Sequence, residues 1–522
     1  MFEAEPVLEV RDLAVRYAAD GQAGPAAVEG VSFDLDAGQV LGVAGASGSG
    51  KTTLALSLAG LLPDSARVLG GRVRFRGRDL LGLPESALQP LRGAELAVVF
   101  QEPGLSLNPV LPVGEQIAEV IRAHRRWDRE RCRAKALASM SRVGLPAPDR
   151  LYAAFPHELS HGQRQRVTIA QAVCCEPVLL VADEPTSGLD STTRAEILGL
   201  LAELRDRMGL ALLLVSHDLG TLAALADRLL VLYAGRVVEA GPLLEVFRRP
   251  RHPHTRELLS AIPRPGTRQG LGVRPGRSAE LLRASGLSKR YLRRGGSEGA
   301  REVQALDGVD LELAAGATLA LVGESGSGKS TLARCLAGLE EPDRGEIVLE
   351  GRSQLIFQDS ATALNPRLRA VEIVEEPLVV QRRGSGPERR RRALELFERV
   401  GLAAGFATRR PLELSGGQRQ RLAIARALAV EPRLLILDEA LAGLDVSSQA
   451  QILSLLLELQ AAHALAYLLI SHDLGLVAAV ADEVAVLHEG RIVERGPAAA
   501  VLAAPQHAKT RALVAAILEL PA

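Results

Sequence analysis

Apolar and polar residues alternate through VLEVRDLAVRY (7–17), a period of two that predicts a half-buried strand. VSFDL (31–35) and QVLGVAG (39–45) continue the strand pattern. VLLVAD (178–183) and ALLLVSHD (211–218) contain unbroken apolar runs, which predict parallel strands covered on both faces. Between these blocks the pattern changes. Residues 112–175 read mostly as helix, including the Arg-rich RRWDRERCRAKALASMSRVG (125–144), and further helices are predicted over 191–207 and 218–226. The result is an α/β arrangement in which a mainly helical subdomain interrupts a buried sheet.

The whole pattern then repeats. GASGSGKTTLALSLAGLLP (45–63) returns as GESGSGKSTLARCLAGLEEP (323–342). HELSHGQRQRVTIAQAVCCEPVLLVADEP (157–185) returns as LELSGGQRQRLAIARALAVEPRLLILDEA (412–440), and LLLVSHDLGTLAALAD (212–227) as YLLISHDLGLVAAVAD (467–482). Lys51 and Lys329 are 278 residues apart, Gln101 and Gln358 are 257 apart, and Asp183 and Asp438 are 255 apart. The second copy has therefore lost about 21 residues between its glycine loop and Gln358; the first fills that space with GRDLLGLPESALQPLRGAE. The predicted division is one domain over 1–262, a linker over 263–280 rich in Gly, Pro and Arg, and a second domain over 281–522.

Composition narrows the class. A length of 522 residues suits three to four ordinary domains or two large ones. With 47% hydrophobic and 24% charged residues, the chain reads as globular rather than disordered. The 62 basic residues balance 62 acidic ones, and only 15 side chains are aromatic (Phe 9, Tyr 5, Trp 1). Neither a polyanion-binding face nor a base-stacking platform is expected, so nucleic acid is not an expected partner. The four cysteines, Cys132, Cys174, Cys175 and Cys335, form no CxxC pair and read as buried thiols. The N-terminus lacks the apolar stretch of a signal peptide, and no run of about 18 apolar residues occurs. Any membrane role is expected to act through a partner.

The repeated motifs carry phosphate chemistry. GASGSGKT (45–52) and GESGSGKS (323–330) each follow an apolar strand and open a helix, the context in which G-x-x-x-x-G-K-[ST] binds nucleotide. Backbone N–H groups around Gly45, Ser47, Gly48 and Gly50, and around Gly323, Ser325, Gly326 and Gly328, would wrap a β-phosphate at a positive helix end. Lys51 and Lys329 would bridge β- and γ-phosphates, and the hydroxyls of Thr52 and Ser330 would face Mg2+. Thr53 and Thr331 complete the nucleotide-binding set. Asp183 and Asp438 end buried strands and would hold Mg2+ through water. Glu184 and Glu439, which follow them, would polarise the attacking water. On its own, an acidic pair at a strand end is usually a solvated turn; downstream of a glycine loop it reads as catalytic. His217 and His472, at matching S-H-D positions, would reach a γ-phosphate. Gln101 and Gln358 offer an amide to Mg2+ and water, or are loop residues. Ser160, Gly162 and Gln163, with Ser415, Gly417 and Gln418, open helices as a second anion site or an ordinary cap.

These motifs, in two complete copies, resemble the ATP-binding-cassette (ABC) ATPases. The resemblance implies two tandem P-loop NTPase domains of α/β class, each with an antiparallel β subdomain and an inserted α-helical subdomain. It implies head-to-tail pairing of the two cassettes within the chain. One ATP would lie between Lys51, Gln101, Asp183, Glu184, His217 and the partner signature Ser415 and Gly417. The other would lie between Lys329, Gln358, Asp438, Glu439, His472 and Ser160 and Gly162. Tyr17 and Tyr291 look like the adenine-stacking aromatics, although a strand-edge tyrosine reads the same way. LSLNPVLPVGEQI (105–117), ALNPRLRAVEIVEEPL (363–378) and HPHTRELLSAIP (252–263), echoed by QHAKTRALVAAI (506–517), look like the peptide and nickel importer branch.

That branch implies an ATP-hydrolysing subunit at the cytoplasmic face of the cell membrane. It would be held there peripherally by two transmembrane permease subunits that work with an extracytoplasmic binding protein. Peptide is the expected cargo; nickel, a metallophore or glutathione are alternatives. Many relatives of this branch carry an iron–sulfur cysteine cluster after the HPxT segment. Residues 264–334 contain no cysteine, so no cluster is expected. His161 stands where the first signature glycine would be, and Ala442 replaces the hydroxyl that Ser187 offers; both predict two competent but unequal sites. The rival class is a soluble tandem-ABC translation factor, which would carry a long charged helical linker. ABC repair ATPases would need zinc cysteines or coiled-coil arms.

Overall fold

The computed structural model describes residues 5–19, 22–262, 279–294, 300–357 and 360–517. Gln358 and most of the linker over 263–280 lie outside the described residues. The chain forms two compact units, the first ending at Ser260 and the second running mainly from Ala261 to Ile517.

In the first unit an antiparallel sheet is ordered Gln22–Leu35, Leu8–Ala19, Ala66–Phe75, Arg78–Asp79. A six-stranded sheet runs Arg236–Pro242, Arg228–Tyr233, Val40–Ala44, Ala211–Val215, Leu179–Asp183, Leu96–Val99. Its last five strands are parallel and Arg236–Pro242 closes one edge antiparallel. Val40–Ala44, Leu179–Asp183 and Ala211–Val215 are buried at every residue, as strands covered on both faces must be. One core joins the two sheets through Leu8, Leu54, Phe75, Val181 and Leu213.

The helical subdomain is Val113–His124, Arg129–Arg142, Pro148–Tyr152 and His161–Val173. Asp128 starts the second of these by accepting from the Arg131 N–H, the usual role of an aspartate before a helix. Ile117, Ile121, Cys132 and Met140 fill its interior.

The second unit repeats this plan. Its six-stranded sheet is ordered Ser353–Ile356, Leu434–Asp438, Ala466–Ile470, Thr318–Val322, Glu483–His488, Arg491–Pro497. Its antiparallel sheet has three strands, Ala300–Ala314, Glu280–Arg294 and Arg344–Leu349. The helices Ala370–Val380, Gly386–Arg399 and Gly416–Leu428 pack around Phe397 and Leu422.

The shortened stretch has a structural consequence. Strand registers equate Phe75 with Leu349 and Leu96 with Ser353, so residues 79–95 have no counterpart. In the first unit that stretch buries Leu80 and Leu91, and Arg92 donates to the carbonyls of Ala59 and Gly60 at 2.7 Å each. Those carbonyls end the helix Lys51–Leu58 and would otherwise lack partners. In the second unit the same surface is an open groove of about 450 Å3 lined by Cys335, Ala337, Glu340, Leu349 and Ser353. Ser353 and Gln354 stand where the first unit has the buried Leu96 and Ala97, which adapts the uncovered strand to water.

Candidate active site

The parallel strands of each unit deliver their following residues to one edge of the sheet, where open α/β folds bind ligands. In the first unit Val40–Ala44 leads into the glycine loop, Leu96–Val99 into Gln101, Leu179–Asp183 into Glu184 and Ala211–Val215 into His217. Four segments far apart in the chain thus meet because their strands are neighbours.

The glycine loop needs its glycines. Gly50 has φ of 102°, and a Cβ there would run into the Ala27 carbonyl oxygen; Gly328 has φ of 108° and meets Ala305 in the same way. Ser47, Gly48, Ser325 and Gly326 are exposed, whereas Gly45 and Gly323 are buried at the strand ends. Lys51 is buried, its Nζ donating to the carbonyls of Gly45 (2.8 Å) and Ala46 (2.9 Å). Lys329 Nζ donates to Gly323 (2.8 Å) and Glu324 (2.7 Å). The ammonium is thereby aimed along the loop, in the place where a phosphate would compete for it.

Asp183 is buried, with Oδ1 lacking a hydrogen-bond partner, and burial pushes its carboxyl above the usual range. Burial does the same to Asp438, which accepts from the Ser330 hydroxyl at 3.2 Å. A buried carboxylate beside the hydroxyl of Thr52 or Ser330 is an all-oxygen donor set, which fits a hard cation such as Mg2+.

Glu184 and Glu439 both occupy left-handed backbone, with φ of 48° and 49°. Strain of this kind at a non-glycine residue concentrates at functional sites. Glu184 receives two bonds: Gln101 Nε2 donates to Oε2 at 2.9 Å, and His217 Nδ1 lies 2.8 Å from Oε1. Burial works against the Glu184 carboxylate, but His217, Lys51 and Gln101 outweigh it and lower its pKa. Burial works against a charged His217, but Glu184 outweighs it and raises the imidazole. The second unit is looser, with His472 Nδ1 3.6 Å from Glu439 Oε1, and this pairing is the main cause that lowers the Glu439 carboxyl.

The signs set a pH window. The Glu184 contribution to stability is present above 4.5 and lost as pH falls through its lowered folded value. The His217 contribution is present below 6.5 and lost as pH rises through its raised folded value. In nucleotide-free protein with magnesium removed, His217→Asn should lower the unfolding midpoint most between pH 4.5 and 6.5. The difference from wild type should shrink on both sides; a difference that stays flat across and well beyond that window would refute an ionic pair.

Ser160, Gly162 and Gln163 form their own cluster at the head of His161–Val173. Ser160 Oγ accepts from the Gln163 N–H at 3.2 Å, and the Gln163 side chain accepts from the Ser160 N–H at 3.0 Å. Ser415 and Gln418 repeat this reciprocal cap. Gly162 and Gly417 lie against Thr193 and Ser448, leaving no room for a larger residue at Gly162. His161 packs on Gly188, and burial lowers its pKa. The Tyr17 hydroxyl is 3.2 Å from Thr53 Oγ1, which places that tyrosine beside the helix after the glycine loop. Tyr291 is half-buried, with Lys289 Nζ 6.0 Å from its ring centroid.

The linear sequence does not show a set of contacts at the C-terminal end of each unit. Glu239 accepts from the backbone N–H groups of Arg251 and His252, and Glu494 accepts likewise from Gln506 and His507. Each pair anchors a short C-terminal helix, Pro253–Ser260 or Ala508–Ala515. From the second of these Lys509 Nζ reaches Glu324 of the glycine loop at 3.3 Å. In the first unit His254 instead packs against Tyr233, with ring centroids 4.2 Å apart and the planes tilted by 39°. The signal was the faint echo of HPHT in QHAKT.

Comparison with known proteins agrees with this architecture. The ABC transporter family model matches residues 28–187 and 306–442. The model for the oligopeptide/dipeptide transporter C-terminal region matches 238–295. The chain is similar to the glutathione import ATP-binding protein of Pectobacterium atrosepticum, 41% identical over 99% of this chain and 90% of that protein. It is similar to the peptidoglycan transport ATP-binding protein of Agrobacterium fabrum, 42% identical over 99% of this chain and 97% of that protein. Among solved structures, RNase-L Inhibitor has a TM-score of 0.62 at 22% identity, covering 93% of this chain and 90% of that one. At that identity the likeness is one of fold. Among the described residues no helix is long and apolar enough to cross a membrane.

Proposed function

The chain belongs to the ABC transporter family and is an ATPase of that family, and from this premise we propose that it energises an importer of short peptides. The observation that carries the reading is the pairing of a duplicated ATPase centre with the anchored C-terminal helices, the first of them in the region of the oligopeptide/dipeptide match. Relatives that import glutathione or transport peptidoglycan support a peptide-like cargo, with glutathione, itself a small peptide, inside that class. Nickel or a metallophore is the alternative cargo.

In this reading the cassettes span 1–262 and 281–522, joined by 263–280, and pair head to tail. Lys51, Gln101, Asp183, Glu184 and His217 work with Ser415 and Gly417; Lys329, Gln358, Asp438, Glu439 and His472 work with Ser160 and Gly162. Tyr17 and Tyr291 stack on adenine. Mg2+, when bound, neutralises phosphate charge, and Thr52, Gln101, Asp183, Ser330, Gln358 and Asp438 would hold it. Glu184 and Glu439 accept the proton of the attacking water, and Gln101 and His217 keep the first of these carboxylates charged and aimed. The partners are two transmembrane permeases and an extracytoplasmic binding protein, which place the chain at the cytoplasmic face of the membrane.

The test is to tag the chain, trap it as Glu184→Gln with Glu439→Gln in the presence of ATP, and extract membranes in mild detergent. Mass spectrometry should find two polytopic permeases. Recovery of ribosomal proteins from the soluble fraction, with no permease, would overturn the importer in favour of a translation factor.

A further inference from the structure

The strongest cluster of reactive side chains outside the active site is the adjacent pair Cys174–Cys175. It follows the helix His161–Val173, at the end opposite Ser160. Both residues are buried, 1% and 4% exposed, and their sulfurs converge to 4.0 Å. Cys174 Sγ donates to the Gln171 carbonyl at 3.1 Å, as an ordinary helical side chain does. Above the pair lies a surface ion pair, Lys135 Nζ to Glu176 Oε1 at 2.6 Å, and Arg142 adds a second cation at 3.5 Å. Arg125 Nη2 approaches the Cys175 carbonyl at 3.5 Å. The charged groups around Cys175 are therefore Arg125, Lys135 and Glu176, two of them positive. The close approach of Cys174 Sγ, with Arg125 and Lys135 nearby, outweighs burial and brings the Cys175 thiol down to about 7, whereas Cys174 is pushed up. The second unit has Ala429 and Val430 at the equivalent positions.

We propose that Cys174 and Cys175 form a two-thiol binding site for a single thiophilic atom, of the class of monosubstituted trivalent arsenicals. Geometry favours such a bridge over a disulfide. Adjacent Cα atoms are about 3.8 Å apart, below the usual disulfide range, so a disulfide here would be strained and easily reduced. A one-atom bridge lets the sulfurs stay well apart and leaves the helical backbone of Cys174 in place. The chemistry balances without electron transfer. Two As–S bonds form, the As=O bond breaks, and the two thiol protons leave with the oxygen as water. Cys175 reacts first, as the better thiolate, and Cys174 closes the ring.

Phenylarsine oxide is the probe, added at equimolar ratio to the full folded chain and read by intact mass and peptide mapping. One phenylarsino group per chain is expected, mapped to Cys174–Cys175 and removed by a dithiol but not by an equal concentration of monothiol. The adduct should persist in the Cys132→Ala, Cys335→Ala double variant, which leaves the pair untouched. It should fall at least tenfold in Cys175→Ser. No adduct on the folded chain, an adduct mapped elsewhere, or one formed only after denaturation would overturn the site. A peroxide-driven disulfide that forms readily and resists mild reductant would overturn the preference for a one-atom bridge.

Discussion

Replacing Glu184 and Glu439 together by glutamine should lower kcat for ATP hydrolysis by about 10²–10⁴-fold, the range for loss of a positioned general base. ATP affinity should stay close to that of wild type, because glutamine keeps the shape and removes only the proton acceptor. Each glutamate is fixed by its strand: Glu184 N–H donates to the Val215 carbonyl and Glu439 N–H to that of Ile470. The single variants should differ. The Gln101 and His217 bonds to Glu184 are 2.9 and 2.8 Å, whereas His472 stands 3.6 Å from Glu439. Steady-state hydrolysis with parallel binding of a fluorescent nucleotide would measure both. Loss of binding in the double variant would assign these carboxylates a structural role instead.

The second large effect is on folding. Gly50→Ala should destabilise the first unit by about 2–6 kcal/mol, combining about 1–3 kcal/mol for left-handed backbone with about 1–3 kcal/mol for overpacking. A unit of this size should then lose roughly 4–24 °C of Tm. The cause is local: the new methyl would collide with the Ala27 carbonyl, a backbone atom in a paired strand that cannot swing away. Gly48→Ala is the control, since a Cβ there meets nothing within 4 Å and only the φ of 75° is unfavourable. Calorimetry should therefore rank Gly50→Ala well below Gly48→Ala. Equal midpoints would show that the loop moves freely and that the close approach is not maintained in solution.

Phosphate chemistry was legible because its signals are contiguous. A buried strand, a glycine turn and a helix start occupy one stretch, and each residue type has a local reason to be there. Glu184 and His217 could likewise be named from the strand ends that carry them. What the linear pattern lacks is the distance between those ends, and their direct bond became visible only with the sheet order. The signature serines show the reverse: the sequence offers them as an anion site or an ordinary cap, and within one unit the hydroxyl is engaged by the cap.

The duplication, the α/β class, the nucleotide loops and the family are properties of local pattern and repeat spacing, and the linear order of residues was enough to establish them. Packing settled what depends on residues distant in the chain. It brought Lys509 to Glu324 across 185 residues and exposed the groove left by the missing counterpart of 79–95. It also set two buried thiols beneath Lys135 and Glu176. Periodicity records which face of an element is buried. Which side chains then meet is set by how the elements pack, and that information is spread over the whole chain.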